Sequence, residues 1–444
     1  MSARSAAVRA LLSVHEHGGY SNIVLEELLS ACDLNAADRA MASRLLYGVT
    51  ERCLTLDYLL NHTASTPVKM MEPEVREILR VAVYQLVYMD KTPAYAAINE
   101  AVEQVKQFGF GRLTGFVNGV LRKIQREHSA LLAQLPSTDK GMEIRYSIPR
   151  HWIRAWRDAY GEDVLERLLP HLNEAPPVYI RVNTIKTTFD GFCRCLDAHN
   201  VDYSTVEHLA NALCITNASA LRDLPDECSA QFYFQDLASQ WCCFALGAQP
   251  GDRIADLCAA PGGKTMTIAQ YMNNDGSIIA GDVHEHKCRA LEQRVKRLGF
   301  DTISVQQQDA SADPRADLIG TMDRVVCDVP CSGLGVIRRK PEIRYKKPED
   351  FADLPDLQYR ILEQGARLVR DGGILQYSTC TLRPEENEEI AARFLREYPE
   401  FEPSPLALDS CFAASGLPNS HEITLFPHIH GTDGFYVARF MKSN

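Results

Sequence analysis

The 444 residues contain no uninterrupted apolar stretch near the ~20 that a membrane-spanning helix needs, so no transmembrane segment is expected. The opening MSARSAAVRALLSVHEHGG has only a short uncharged run before Glu16, which predicts an amphipathic helix rather than a secretory leader. Fourteen cysteines are present, yet none form a CxxC pair and none have histidine partners at zinc-finger spacing. The nearest pairs are Cys193/Cys195, Cys242/Cys243 and Cys327/Cys331. This argues against a disulfide scaffold and against a bound metal, and for free thiols in a reducing, cytoplasmic compartment. Positive charge is in deficit, 47 Lys and Arg against 58 Asp and Glu, for a net charge of −11. Any nucleic acid partner must therefore meet a local basic patch. Two nucleotide fingerprints are also missing. There is no GxGxxG, and the first glycine of a GxxxxGK[ST] loop would fall on Cys258.

The remaining composition, 45% apolar and 24% charged, is that of a globular chain, and the length suggests about three compact units. Residues 1–135 hold 14 basic and 14 acidic residues and carry helical periodicity throughout, as in Val75, Ile78, Leu79, Ala82, Val83 and Leu86. They predict an all-α domain of about six helices without a repeat period. Residues 136–175 read as a helical connector with Trp152 and Trp156 among Arg145, Arg150, Arg154 and Arg157, an amphipathic helix in preference to an RNA grip. Residues 176–235 alternate short strands and helices, a small α+β module. From 236 to 444, strands at 253–257, 277–282, 302–309, 324–329 and 373–379 alternate with helical patterns. That order predicts a doubly wound, Rossmann-like α/β domain with a parallel sheet, closed by a hairpin with Asp433-Gly434 in its turn region.

The strand RIADL runs into Cys258-Ala259-Ala260-Pro261-Gly262-Gly263-Lys264 and then a helix. A glycine-rich turn after the first strand lets a ligand approach backbone N–H groups. With the other two fingerprints absent, S-adenosylmethionine is the ligand expected. Acidic residues follow the next strands: Asp282, 20 residues past Gly262, suits the ribose hydroxyls, Asp309 the adenine amino group, and Asp328 lies in the fourth strand. Ligands bind at that edge of a parallel sheet, so this loop and these aspartates are the expected cofactor site.

The fourth strand ends in Asp328-Val329-Pro330-Cys331 and the fifth in Ser378-Thr379-Cys380. Neighbouring strand ends would place both thiols beside the cofactor's methyl group. A thiol has a purpose there. Carbon 5 of a pyrimidine is a weak nucleophile until a thiolate adds to carbon 6. Asp328 is suited to accept from the exocyclic amine of cytosine. Beyond Cys331, Arg338, Arg339, Lys340, Arg344, Lys346 and Lys347 form a basic run broken only by Glu342 among the charges, with Pro341 to stiffen it and Tyr345 to stack. It predicts an RNA contact. A second cluster, Lys287, Arg289, Arg294, Lys296 and Arg297, reads at least equally well as a solvated helix face.

Four segments resemble the cytosine-5 RNA methyltransferases: FQDLASQWC (234–242), DLCAAPGGKT (256–265), DVPCSG (328–333) with GVIRRKPEIRYKK (335–347), and YSTCTLRPEENE (377–388). The resemblance covers about 175–444. It implies S-adenosylmethionine as cofactor, Cys380 as nucleophile, and Cys331 as the residue assisting proton removal and product release. Val329 departs from the alanine or proline frequent in the family. GYSN (19–22), AINEAVEQVKQFG (97–109) and GFVNGVLRKI (115–124) resemble the NusB fold. The fusion of the two is that of the bacterial Fmu/RsmB type. It implies a cytosine in small-subunit (16S) ribosomal RNA as substrate and an RNA-recognition-like role for the α+β module. A monomer is expected. The alternatives are the same chemistry on tRNA or large-subunit rRNA, and a non-catalytic NusB-like RNA-binding factor.

Overall fold

The computed structural model describes residues 2–207, 209–406 and 420–444. The chain divides into two units. The first comprises residues up to Glu174 together with Ile337–Pro348, and the second comprises Ala175–Val336 and Glu349–Asn444. Among the described residues no helix is long and apolar enough to cross a membrane.

In the first unit the expected helical stretch forms seven helices: α1 (Ala3–His17), α2 (Ser21–Ala31), α3 (Ala36–Glu51), α4 (Cys53–Thr63), α5 (Pro73–Tyr88), α6 (Ala94–Gln107) and α7 (Thr114–Ala133). Their boundaries follow local chemistry. Ser2 accepts from the Ser5 N–H at the start of α1, Asn35 from the Asp38 N–H at the start of α3, and Pro73 occupies the first turn of α5. The apolar stripes bury Leu11, Leu45, Leu56, Ile78 and Leu121 in one core.

Residues 136–175 do not serve as a linker between units. They form α8 (Asp139–Tyr146), α9 (Arg150–Tyr160) and α10 (Glu162–His171), and as far as Glu174 they belong to the helical unit. Trp152 and Trp156 point inward and are buried. The arginines of α9 sit on the opposite face, where Arg150 pairs with Glu143, Arg154 with Asp139, and Arg157 with Asp139 and Glu162. This helix is amphipathic because its aromatic residues pack inward.

The second unit begins with β1 (Val178–Val182), α11 (Phe189–Ala198), β2 (Tyr203–Thr205), β3 (Ala212–Ile215) and β4 (Phe232–Phe234). The strands form an antiparallel sheet in the order β2-β3-β1-β4. Its core holds Ile180, Val182, Phe192, Leu196 and Leu213. The α/β part follows with α12 (Leu237–Leu246), β5 (Arg253–Asp256), α13 (Gly263–Tyr271), β6 (Ser277–Asp282), α14 (Glu285–Leu298), β7 (Ile303–Gln307), β8 (Met322–Asp328), α15 (Leu354–Leu368), β9 (Val369–Thr379), α16 (Glu388–Glu397), β10 (Phe401–Pro403), β11 (Glu422–Leu425) and β12 (Phe435–Lys442).

The sheet order is β10-β12-β9-β8-β5-β6-β7, with β11 beside β12. Strands β9, β8, β5, β6 and β7 are parallel, and β12 runs antiparallel to β9. From β5 the chain proceeds outward through β6 and β7. It then returns to the other side of β5 as β8. The direction therefore reverses at the carboxyl ends of β5 and β8, where a doubly wound sheet opens a crevice. The closing pair β11–β12 is antiparallel as expected, but no tight turn joins it. A short helix, Pro427–His430, fills the connection, and Asp433 is buried.

Candidate active site

The loop between β5 and α13 sits at that crevice and is pinned to both neighbouring strands. The Leu257 N–H donates to the Val326 carbonyl of β8 and the Ala259 N–H to the Gly281 carbonyl of β6 (3.0 and 2.7 Å). Gly262 adopts φ +97°, and a Cβ there would stand 2.2 Å from Leu291 Cδ1, so only glycine fits this turn. A pocket of about 190 Å³ opens over the loop, lined by Gln235, Asp236, Asp256, Cys258, Lys264 and Asp328 among others. Ala259, Ala260, Pro261 and Gly263 of the predicted loop also line it.

Asp256 is the first feature that tests the cofactor expectation. It is buried, and Thr265 Oγ1 donates to its Oδ2 at 2.6 Å. Its Oδ1 has no hydrogen-bond partner. An orphaned carboxylate oxygen in the wall of a polar pocket fits a ligand with a positive or N–H/O–H donor end, as the amino-acid part of S-adenosylmethionine has. Burial raises the carboxyl pKa to about 6, with the Thr265 bond opposing this and Asp328 adding to it. The folded form then holds a proton more tightly than the unfolded form. This contribution to stability is fully present below about pH 4 and is lost as pH rises through about 6, an effect of about 3 kcal/mol. Asp256→Asn is expected to flatten the stability profile between pH 4 and 6. Urea denaturation at pH 4.5 and 7, with wild type in parallel, checks this.

Asp282 ends β6, is buried, and accepts from the His284 N–H through Oδ1 (2.9 Å). Asp309 lies two residues past β7 and is exposed, with Oδ1 accepting from both the amide and the hydroxyl of Ser311 (2.9 and 2.7 Å). Those two bonds hold its carboxyl below the ordinary range. Neither residue lines the pocket over the loop.

Lys264 does not present its ammonium to solvent. Its Nζ donates to Asp328 Oδ2 at 2.8 Å and stands 5.1 Å from the centre of the Phe435 ring. Burial works against this charge, but Asp328, with the sulfurs of Cys242 and Cys243 nearby, more than offsets it and holds the ammonium well above its ordinary pKa. Asp328 Oδ1 accepts from Ser378 Oγ of the neighbouring strand (2.9 Å). Two donors thus fix the carboxylate plane.

The two thiols meet as the strand order requires. Cys331 Sγ and Cys380 Sγ are 3.3 Å apart, both half-buried and neither in a disulfide. The Ser332 and Thr381 hydroxyls, one residue further along each loop, hydrogen-bond at 2.7 Å. The Cys331 thiol is pushed well above its ordinary pKa, first by its hydrogen bond to Cys380 and then by burial and by Glu386. Among the described residues no cluster of three or more His, Cys, Asp or Glu is arranged to hold a metal.

The basic run is distributed differently from the expectation. Residues 337–348 belong to the helical unit. There Arg344 is fully buried and donates to the Glu51 and Leu172 carbonyls and to Asn173 Oδ1 (3.0, 3.2 and 2.8 Å). The half-buried Tyr345 gives its hydroxyl to the Thr50 carbonyl (2.7 Å) and accepts from the Cys53 N–H (3.2 Å). The expected RNA contact through Arg344 and Tyr345 is therefore corrected. Both are anchors: the Arg344 Nη1 and Nη2 atoms and the Tyr345 hydroxyl satisfy buried carbonyls that would otherwise lose their partners, although Arg344 Nε is left without one. Lys340 and Lys347 are exposed, while Arg338, Arg339 and Lys346 are half-buried. The Lys340 and Lys346 ammoniums lie 5.8 and 5.5 Å from the centre of the exposed Tyr20 ring.

Sequence reasoning assigned no role to Asp256, Ser378, Glu386 or Asn387. Three of them lie in segments quoted above for their cysteines, and Asp256 ends the cofactor strand. Their signal was position beside a reactive group, which needs strand register to interpret.

The switch-point loop, the orphaned carboxylate oxygen and the paired thiols all belong to the α/β part of the second unit. Comparison with known proteins identifies the family. Residues 243–441 match the family described as 16S rRNA methyltransferase RsmB/F, 1–126 the NusB family, and 148–222 the RsmF/B-like ferredoxin-like domain. The chain is 33% identical over 444 residues to the probable ribosomal RNA small subunit methyltransferase B of Bacillus subtilis, covering 99% of each chain. It is 33% identical to the probable enzyme of that name from Synechocystis, covering all of both. Among solved structures, PH0851 superposes with a TM-score of 0.81 at 26% identity over 98% of each chain. A methyltransferase homologue from Pyrococcus horikoshii gives 0.60 at 27% identity, covering 69% of this chain and all of that one. The chain belongs to the ribosomal RNA small subunit methyltransferase B family.

Proposed function

We propose that this chain methylates carbon 5 of a cytosine in 16S ribosomal RNA in the cytoplasm, with Cys380 as nucleophile and Cys331 as the thiol that assists release. The observation that carries this reading is the pair of thiols 3.3 Å apart beside the Lys264–Asp328 pair at the crevice. The names of the curated relatives supply the substrate class. S-adenosylmethionine supplies a methyl group on a sulfonium. Asp256 and Asp282, with the backbone of Cys258–Gly263, would hold it, and Asp309 would meet its adenine from the neighbouring strand end.

Cys380, as thiolate, adds to carbon 6 of the cytosine, and carbon 5 becomes nucleophilic enough to accept the methyl. The carbon-5 proton then leaves to a base and the Cys380–carbon 6 bond breaks, returning thiolate and aromatic ring. Cys331, kept protonated by its surroundings, steadies the departing Cys380 thiolate by donating a hydrogen bond to it and keeps its own proton. Asp328, its carboxylate fixed by Lys264 and Ser378, accepts from the exocyclic amine of cytosine, a contact that uracil cannot make. RNA docking is assigned to the helical unit, with Lys340, Lys346 and Lys347 beside Tyr20 supplying phosphate contacts, and Arg338 and Arg339 adding to that surface.

The test is transfer of labelled methyl from S-adenosylmethionine to deproteinised 16S rRNA and to tRNA, followed by nucleoside analysis. Label in 5-methylcytidine from rRNA alone is expected. Label in tRNA alone overturns the substrate, and label in another nucleoside overturns the chemistry.

A further inference from the structure

Two adjacent polar residues lie behind the thiols, fully buried and outside the assignments made so far. Glu386 and Asn387 follow the Cys380 segment at the head of α16, and each has no solvent exposure. Asn387 Oδ1 accepts from the Thr379 hydroxyl at 2.5 Å, and its Nδ2 donates to the Thr381 carbonyl at 3.1 Å. Those are the residues on either side of Cys380. Glu386 Oε2 accepts from the Ser332 N–H at 2.9 Å and from Gln358 Nε2 at 2.8 Å, and Gln358 Nε2 also donates to the Pro330 carbonyl at 2.9 Å. Those are the residues on either side of Cys331. Arg383 Nη1 donates to Glu386 Oε1 at 3.1 Å, and the Tyr377 hydroxyl donates to the Glu386 carbonyl at 2.6 Å.

We propose that Glu386 and Asn387 are positioning residues that hold the two thiol loops in register, Asn387 by gripping both neighbours of Cys380 and Glu386 by gripping Ser332 directly and Pro330 through Gln358. Neither needs to touch substrate to act. Consecutive Cα atoms are held about 3.8 Å apart, so the two grips start from neighbouring points of one short segment. A thiol pair that must act in sequence on one carbon skeleton needs that fixity, since a displacement of about 1 Å costs about 100-fold in rate.

The brace also sorts the proton. The ionisable groups facing Cys331 are Tyr377 from β9, Cys380 just past its end and Glu386 from the turn that follows, with Arg383 paired to Glu386. The Glu386 carboxylate behind Cys331, bonded to the Ser332 N–H, helps keep the proton on that thiol. Removing the charge while keeping the shape would weaken that preference.

The inference rests on the thiol roles proposed above, and its test separates the two. Full-length wild type, Glu386→Gln and Thr379→Val are compared in single-turnover methyl transfer and in the pH dependence of Cys331 alkylation by iodoacetamide, read by mass spectrometry. Thr379→Val removes one hydroxyl that Asn387 accepts from and little else, so it tests the brace if Glu386→Gln fails to fold. Glu386→Gln is expected to lower the rate about 100-fold with cofactor and RNA affinities within about 2-fold, and to move Cys331 alkylation to lower pH. Thr379→Val is expected to lose about 10-fold in rate and leave the alkylation midpoint in place. Rates for both variants within about 2-fold of wild type, or an unmoved midpoint in a folded Glu386→Gln chain, overturn the brace alone. An inactive wild type overturns the proposed function instead, while the alkylation shift still reports on Glu386.

Discussion

Replacing Cys380 with alanine is expected to abolish methyl transfer, by about 10⁴-fold or more, the scale of nucleophile deletion in enzymes that work through a covalent intermediate. Replacing Cys331 is expected to have a different outcome. With Cys380 intact the sulfur–carbon bond still forms and the methyl still transfers, but release slows. The Cys331→Ala chain should therefore accumulate covalently on RNA, visible as a species that survives denaturing electrophoresis and disappears on nuclease treatment. The structure makes this contrast sharp because the two sulfurs are only 3.3 Å apart. An adduct from Cys380→Ala and none from Cys331→Ala would reverse the two roles.

The second large effect is expected at Lys264. Its ammonium is 15% exposed and its partner Asp328 27% exposed, so most of the charge pair is withdrawn from water. Lys264→Met keeps much of the side-chain volume and removes the charge, leaving Asp328 with Ser378 as its only donor in this network. Stability is expected to fall by about 3 kcal/mol, the lower end for breaking a buried pair, because the carboxylate retains some solvent access. Turnover is expected to fall by about 100-fold, since the acceptor for the cytosine amine is no longer held in one plane. Steady-state kinetics with urea denaturation on the same preparation separates the effects. A loss confined to RNA affinity would place Lys264 on phosphate instead. The ion pair contributes stability fully below about pH 10.5, the unfolded lysine value, and loses it only at higher pH, so near neutrality this defect should be nearly independent of pH.

The contrast between the two basic features shows how far a linear reading reaches. Arg344 and Tyr345 sit in a run that reads as an RNA patch, and composition gave no reason to separate them from Lys340 or Lys347. Only packing does so. Arg344 is spent on two carbonyls and Asn173, while Lys340 and Lys347 remain exposed. Glu77 makes the same point within α5. It occupies no special sequence position, yet it is fully buried between Arg76, Arg80 and His15. Burial raises its carboxyl, and the Arg80 charge with the hydrogen bonds from His15 and Arg76 more than offsets it, leaving the pKa at about 2.

What the sequence determined by itself is local in origin. Apolar periodicity specified the helices of the first unit, because a helix buries a stripe that recurs every 3.6 residues. The alternation of strands and helices specified the parallel sheet, and Gly262 specified the cofactor turn, because no side chain fits there. The two cysteines were legible because strand ends of a parallel sheet share one edge. Tertiary structure alone decided the rest: that Lys264 turns to Asp328, that Asp256 keeps an unpartnered oxygen, and that Glu386 and Asn387 reach back to brace both thiols. Each depends on the register between strands and on which groups lose water together. Such pairings are set by desolvation over distances of 8 to 64 residues along the chain, and no local pattern records them.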